Sequence, residues 1–146
     1  MEIWKSYIEG YYEASNQGRI RSVDRVLIFK GSPGVRKGVV LKQTLNSKGY
    51  LTVIICKDGE RKTEYVHRII AKVFIENPLN KPEVNHKNGR HTEIQDNAVE
   101  NLESCTYDEN ILHAYENNLT STGNVKLSEA EVSEIKYLIK AGLSNP

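Results

Sequence analysis

In the first 66 residues the apolar positions fall in short runs, cut by polar, glycine-bearing breaks, and this pattern predicts strands rather than helices. The breaks are Asn16-Gln17-Gly18, Gly31-Ser32-Pro33-Gly34 and Asn46-Ser47-Lys48-Gly49. Tyr50 to Cys56 is rich in β-branched and aromatic residues. Asp58-Gly59 offers a two-residue hairpin turn, with Lys62 to Val66 as the returning strand. From His67 the period changes, because Ile69, Ile70, Val73 and Phe74 repeat at helical spacing until Asn77-Pro78 closes the run. A short strand around Val84, a polar loop and a second strand from Leu102 to Cys105 come next. Thr106 and Glu109 have capping-box spacing, which starts a helix at Tyr107 with Ile111, Leu112 and Tyr115 as its buried stripe. Asn117 to Asn124 reads as a linker. Ser128 and Glu131 repeat the capping spacing, predicting a helix that turns Val132, Ile135, Leu138 and Ile139 inward and ends at Gly142.

The elements predict an α+β chain: an antiparallel β module over 1–66, a strand–loop–strand–helix unit over 67–118, a linker over 119–126, and a helix within 127–146. At 146 residues, one domain or two very small ones are expected. No apolar run is long enough to predict a membrane span, and the start does not resemble a signal peptide. Cys56 and Cys105 have no CxxC partner, which points to free thiols in a reducing, cytoplasmic setting and argues against a cysteine zinc site. The net charge of +1 hides an asymmetry. Residues 1–80 carry 14 Lys/Arg against 8 Asp/Glu, whereas residues 81–146 carry 6 against 11. Between Arg19 and Lys72 the count is 13 against 4, a local excess that suits a polyanion-binding surface as well as it suits solvated strand edges.

The chemistry concentrates in Glu83-Val84-Asn85-His86-Lys87-Asn88-Gly89, followed by Asn97-Ala98-Val99-Glu100-Asn101-Leu102 and then Asn110. Hydrolysis of a phosphodiester needs an activated water, charge stabilisation at the phosphate and help for the leaving oxygen. A neutral histidine supplies the first and a divalent cation the other two. His86 is the candidate base. The side-chain oxygens of Asn85 and Asn110 are candidate ligands for Mg²⁺ or Mn²⁺, hard cations that take oxygen donors. Neighbours on a strand point to opposite faces, so Asn85 and His86 can flank a metal and a water. Asn101 reads as a loop clamp, its amide able to donate to and accept from backbone groups.

Residues 83–110 resemble the HNH motif of phage and intron-associated homing endonucleases. Val66 to Ile75 resembles the helix that precedes the motif, and Asn77-Pro78 and Lys81-Pro82 continue the likeness. Trp4-Lys5 and Tyr11 to Ser22 look like the small module that often stands before this nuclease domain. The resemblance implies a metal-dependent DNA endonuclease that nicks as a monomer or weak dimer on double-stranded DNA, with no membrane partner. It gives His86 the base role, Asn85 and Asn110 the metal, and Asn101 a structural part in the catalytic motif. Arg19, Arg21, Arg25, Lys42, Lys48, Arg61, Lys62 and Arg68, with Lys87 and Arg90 beside the motif, are the expected DNA contacts, mainly to phosphates. Many relatives carry Asp where Asn85 stands, and the loop from Gly89 to Asn101 is about three residues longer than usual. The neutral ligand pair keeps a second reading open, a DNA-binding regulator without cleavage. Lys126-Leu127-Ser128 through Ser144 resembles the opening of a helix-turn-helix whose reading helix does not follow. His67 and His113 are expected to pack or bond backbone, His91 to be solvated, and Trp4, Tyr7, Tyr11 and Tyr12 to form a small core cluster.

Overall fold

The computed structural model describes residues 1–119 and 128–142. It is a mixed α+β fold in which every strand pairing among the described residues is antiparallel. Strands β1 (Trp4–Ile8), β2 (Tyr12–Ser15) and β3 (Ile20–Ser22) form one sheet, and β4 (Arg25–Phe29) with β5 (Ser32–Arg36) a hairpin. A third sheet joins β6 (Thr44–Leu45), β7 (Leu51–Lys57) and β8 (Glu60–Tyr65). Helix α1 (Val66–Phe74) leads to β9 (Glu83–His86), two 3₁₀ turns (Ile94–Asn97 and Val99–Asn101), β10 (Leu102–Cys105) and α2 (Tyr107–Glu116). Helix α3 (Glu129–Lys140) is the last described element.

The Asp58-Gly59 turn is as expected: Lys57 pairs with Glu60, and both turn residues have positive φ, at 51° and 81°. One break is misplaced. Pro33 and Gly34 lie inside β5, and the turn is Lys30-Gly31, with φ of 49° and 82°. A two-stranded ribbon tolerates Pro because each strand has a free edge. Val66 opens α1 rather than closing β8, since no breaker separates strand from helix there and apolar periodicity cannot place the boundary.

One core draws on both sides of that junction. Ile20 and Val53 from the sheets and Val66, Ile69 and Ile70 from α1 are fully buried, and Leu102 of β10 closes over them. Nine residues are too few for an independent helix. Burying each such side chain is worth about 1.5–3 kcal/mol, which holds α1 against the sheets. Of the aromatic residues near the start, Tyr12 is in this core and Tyr7 and Tyr11 pack against it, while Trp4 instead lies under the Arg21 guanidinium at 4.2 Å. Helix α2 buries none of its residues, and Tyr115 is exposed; with few elements packed over it, its stripe is half-covered. Helix α3 has the expected phase, with Val132, Ile135, Leu138 and Ile139 less exposed than their neighbours, and a Lys136–Glu116 ion pair of 3.1 Å ties it to α2. Both capping boxes form, and Gly142 follows the last helical turn with φ of 69°. The linker beyond Leu119 and the helix-turn-helix likeness beyond Gly142 lie outside the described residues. Among the described residues no helix is long and apolar enough to cross a membrane.

The loop between β9 and β10 is strapped to the N-terminal sheets. Val99 N–H donates to Asn16 O at 3.0 Å, and the loop backbone at Ile94 packs directly on Gly18. Gly18 has φ of 88°, and a Cβ there would stand 2.2 Å from Ile94 O, so only glycine lets the loop approach this closely.

Candidate active site

The β9–β10 pair sets the geometry by its register, Leu102 opposite His86 and Glu103 opposite Asn85. Asn85 and His86 are buried at the end of β9. Asn110 sits in the first turn of α2, one residue past Glu109. The Thr106–Glu109 capping box fixes that turn, and the Glu109 carboxylate accepts from Lys81 Nζ at 2.8 and 2.9 Å, tying the helix to the segment before β9. Asn85, His86 and Asn110 then line one cleft of about 310 Å³, together with Tyr50, His91 and His113. Larger hollows of about 430, 400 and 380 Å³ lie elsewhere, and none is lined by a histidine.

His86 Nε2 stands 3.0 Å from Asn97 Oδ1. Asn97 is fully buried, and its Nδ2 donates to Glu93 O at 3.2 Å, which turns Oδ1 toward the imidazole. An oxygen accepts only, so Nε2 carries the proton and donates, leaving Nδ1 as the lone-pair nitrogen of the neutral ring. Burial lowers the His86 pKa; the bond to Asn97 and the charge of Asp96 oppose that shift, and His91 adds to it. The ring is neutral at physiological pH.

Around His86 stand Tyr50, His67 and His91. The His67 and His91 ring centroids lie 5.0 and 5.8 Å from that of His86, and Tyr50 stacks on His91 at 4.4 Å. His91 is therefore half-buried rather than solvated: the loop folds inward through its 3₁₀ turns and buries Asp96 and Asn97. His67 packs as expected, but its Nδ1 is buried without a partner among the described residues, and its pKa falls to about 3, first through burial and then through the charges of His86, Arg68 and His91. His113 lies on the cleft wall with Nε2 3.0 Å from Lys87 O, a backbone contact.

Asn101 holds the loop. Its Oδ1 accepts from Asn88 N–H at 3.0 Å, and its Nδ2 donates to Asp96 O at 2.7 Å and to Asn88 Oδ1 at 3.0 Å. Asn85 Nδ2 donates to the Glu103 carboxylate at 3.0 Å. Its Oδ1 accepts no bond from any described residue and is not sealed from solvent. Beside the imidazoles of His86, His91 and His113, the cleft offers the carboxamide oxygens of Asn85 and Asn110, donors that fit a hard cation. Among the described residues no cluster of three His, Cys, Asp or Glu side chains is arranged for a metal. Glu103 and Tyr50 carry no motif signal that sets them apart from ordinary strand and turn residues, and Asn97, although it opens the second motif stretch, shows its contact with His86 only through the path of the loop.

The basic residues divide into two sets. Arg19 pairs with Glu2, Arg21 with Glu13 at 2.6 Å, Lys62 with Glu64 at 3.0 Å and Arg68 with Glu83 at 3.1 Å. Arg25 lies over the Tyr11 ring at 4.7 Å with its Nε buried. Lys42, Lys48, Arg61 and Arg90 form no ion pair among the described residues and all four are exposed, and Lys87 Nζ reaches Glu100 O at 3.2 Å.

The chain is similar to known proteins in sequence and in fold. Residues 2–56 match the NUMOD4 motif. The chain is 37% identical over 124 residues to an uncharacterized HNH endonuclease of Acanthamoeba polyphaga mimivirus, covering 81% of this chain and 27% of the relative. A second mimivirus protein of the same description is 33% identical over 122 residues, covering 84% and 32%. The chain thus spans about a third or less of those two relatives. DNA endonuclease I-HmuI of Bacillus phage SP01 is 29% identical over 136 residues, covering 91% of this chain and 67% of that one. A solved structure described as DNA binding and cleavage by the HNH homing endonuclease I-HmuI superposes with a TM-score of 0.62 at 25% identity, over 94% of this chain and 68% of the other.

Proposed function

For a chain that carries the NUMOD4 motif and has HNH endonucleases as homologues, we propose a metal-dependent DNA endonuclease that nicks one strand. The observation that carries the reading is the convergence of His86, Asn85 and Asn110 on one cleft, with the His86 ring oriented by Asn97. His86 Nδ1 takes the proton of a water as its oxygen attacks phosphorus, and the 3′ oxygen leaves. The imidazolium so formed is steadied through Nε2–H by Asn97. A divalent cation, Mg²⁺ or Mn²⁺, held by the Asn85 and Asn110 side-chain oxygens, would neutralise charge on the phosphate and ease departure of the 3′ oxygen. Asn101 keeps the β9–β10 loop closed so that Asn97 stays in place. The sheets of the N-terminal half, with Lys42, Lys48 and Arg61 free of ion pairs among the described residues, would contact the DNA backbone.

Supercoiled plasmid incubated with the protein tests this. Nicked circles are expected with Mg²⁺ or Mn²⁺ and none in EDTA. Supercoils that persist under every metal while DNA binding is retained would favour a regulator that only binds.

A further inference from the structure

The proposed ion site has an electrostatic gap, since both side chains offered to the cation are neutral carboxamides, whereas a hard dication is bound most strongly by carboxylate. One carboxylate lies just behind them. Glu103 is the cross-strand partner of Asn85, and its Oε1 accepts from Asn85 Nδ2 at 3.0 Å. Glu103 forms no ion pair among the described residues. A carboxylate only accepts, so the contact decides which end of the Asn85 amide faces it: Nδ2 is held, and Oδ1 is directed away as the free, solvent-open end.

Resting on the endonuclease reading, we infer that Glu103 is a positioning residue for the metal-side amide. It fixes Asn85 with the oxygen presented to the cleft, polarises that amide so that the oxygen is a stronger donor, and adds a negative charge beside the amide that would hold the ion. Asn85 and Glu103 then act as a unit, and replacing the amide with the more obvious ligand, aspartate, is not an improvement on this scaffold. The carboxylate introduced by Asn85→Asp would have no N–H to offer Glu103, and two carboxylates would face each other across the strand pair.

Mn²⁺ binding followed by electron paramagnetic resonance, with and without duplex DNA, reads this independently of cleavage. Glu103→Ala should weaken Mn²⁺ binding about 10-fold or more, the range found when a partner behind a metal ligand is removed. The metal concentration giving half-maximal nicking should rise in parallel, with DNA affinity and thermal midpoint unchanged. Glu103→Gln, which keeps an acceptor and loses the charge, should fall between the two. Asn85→Asp with Glu103→Gln should bind Mn²⁺ more tightly than Asn85→Asp alone. Mn²⁺ binding and metal dependence identical to wild type in Glu103→Ala would overturn the inference and leave the endonuclease reading standing. Wild-type protein that neither binds Mn²⁺ nor nicks would remove both. A lowered thermal midpoint with unchanged metal dependence would assign Glu103 to strand pairing instead and also overturn it.

Discussion

Removing Asn97 gives the most discriminating test of how His86 is prepared for its role. The Nε2–H···Oδ1 bond joins neutral partners before the reaction and a charged donor to a neutral acceptor once His86 has taken the proton. Neutral bonds contribute about 0.5–1.5 kcal/mol net and bonds to charged groups about 1.5–3, so the bond strengthens by about 1 kcal/mol as the transition state forms. Loss of the preferred tautomer adds to this, and Asn97→Ala should lower the rate of nicking on the order of 10-fold. The pH dependence provides a second signature. Burial holds the His86 pKa down while Asn97 opposes that shift, so removing Asn97 lowers it further. The active form is the neutral ring, present above its pKa, so the acid limb of the rate profile should move to lower pH as the plateau falls. Asn97→Asp should shift the limb the other way, since a carboxylate favours the imidazolium. Single-turnover nicking from about pH 5 to pH 8, with DNA affinity measured alongside, resolves both. A plateau within about twofold of wild type and an unmoved acid limb in Asn97→Ala would refute the argument, because damage to folding alone does not shift the limb in opposite directions for the two variants.

Other outcomes follow from the same geometry. His67 is buried and neutral down to about pH 3, while the unfolded chain takes up its proton below about 6.5, so its contribution to stability is present near neutrality and is lost as pH falls between those values; by pH 5 the loss is about 2 kcal/mol. Denaturant unfolding of His67→Phe should show less acid destabilisation by about that amount, and an identical pH dependence would reject the assignment. Lys48→Ala and Arg61→Ala should each reduce the slope of log affinity against log salt by about 0.9 if they neutralise a phosphate. Arg21→Ala should have less effect, because its guanidinium is already paired with Glu13; an unchanged slope in both Lys48→Ala and Arg61→Ala would move the DNA surface elsewhere.

Much of the fold was legible where local chemistry decides it. Capping boxes at Thr106 and Ser128 and the Asp58-Gly59 turn are short-range devices, and each forms as its residues dictate. Pro33 and Gly34 misled because a turn signal was credited without knowing that its strand had a free edge. The three residues of the proposed chemistry were singled out by their spacing and by the motif resemblance, and they line one cleft. Their supports were not: Asn97 reaches His86 because the loop is strapped to Asn16 and Gly18, far earlier in the chain, and Glu103 reaches Asn85 only through strand register. His91 looked solvated because the loop is polar. Its ring is covered by Tyr50 from beside a different sheet, a contact that periodicity does not contain.

In the proposed mechanism the His86 imidazole activates the water. Nicking of supercoiled plasmid by His86→Ala, beside wild type at equal DNA occupancy and saturating Mn²⁺, tests it most directly. Cleavage should vanish from the variant while its affinity for DNA stays the same; nicking by His86→Ala at the wild-type rate would contradict the account.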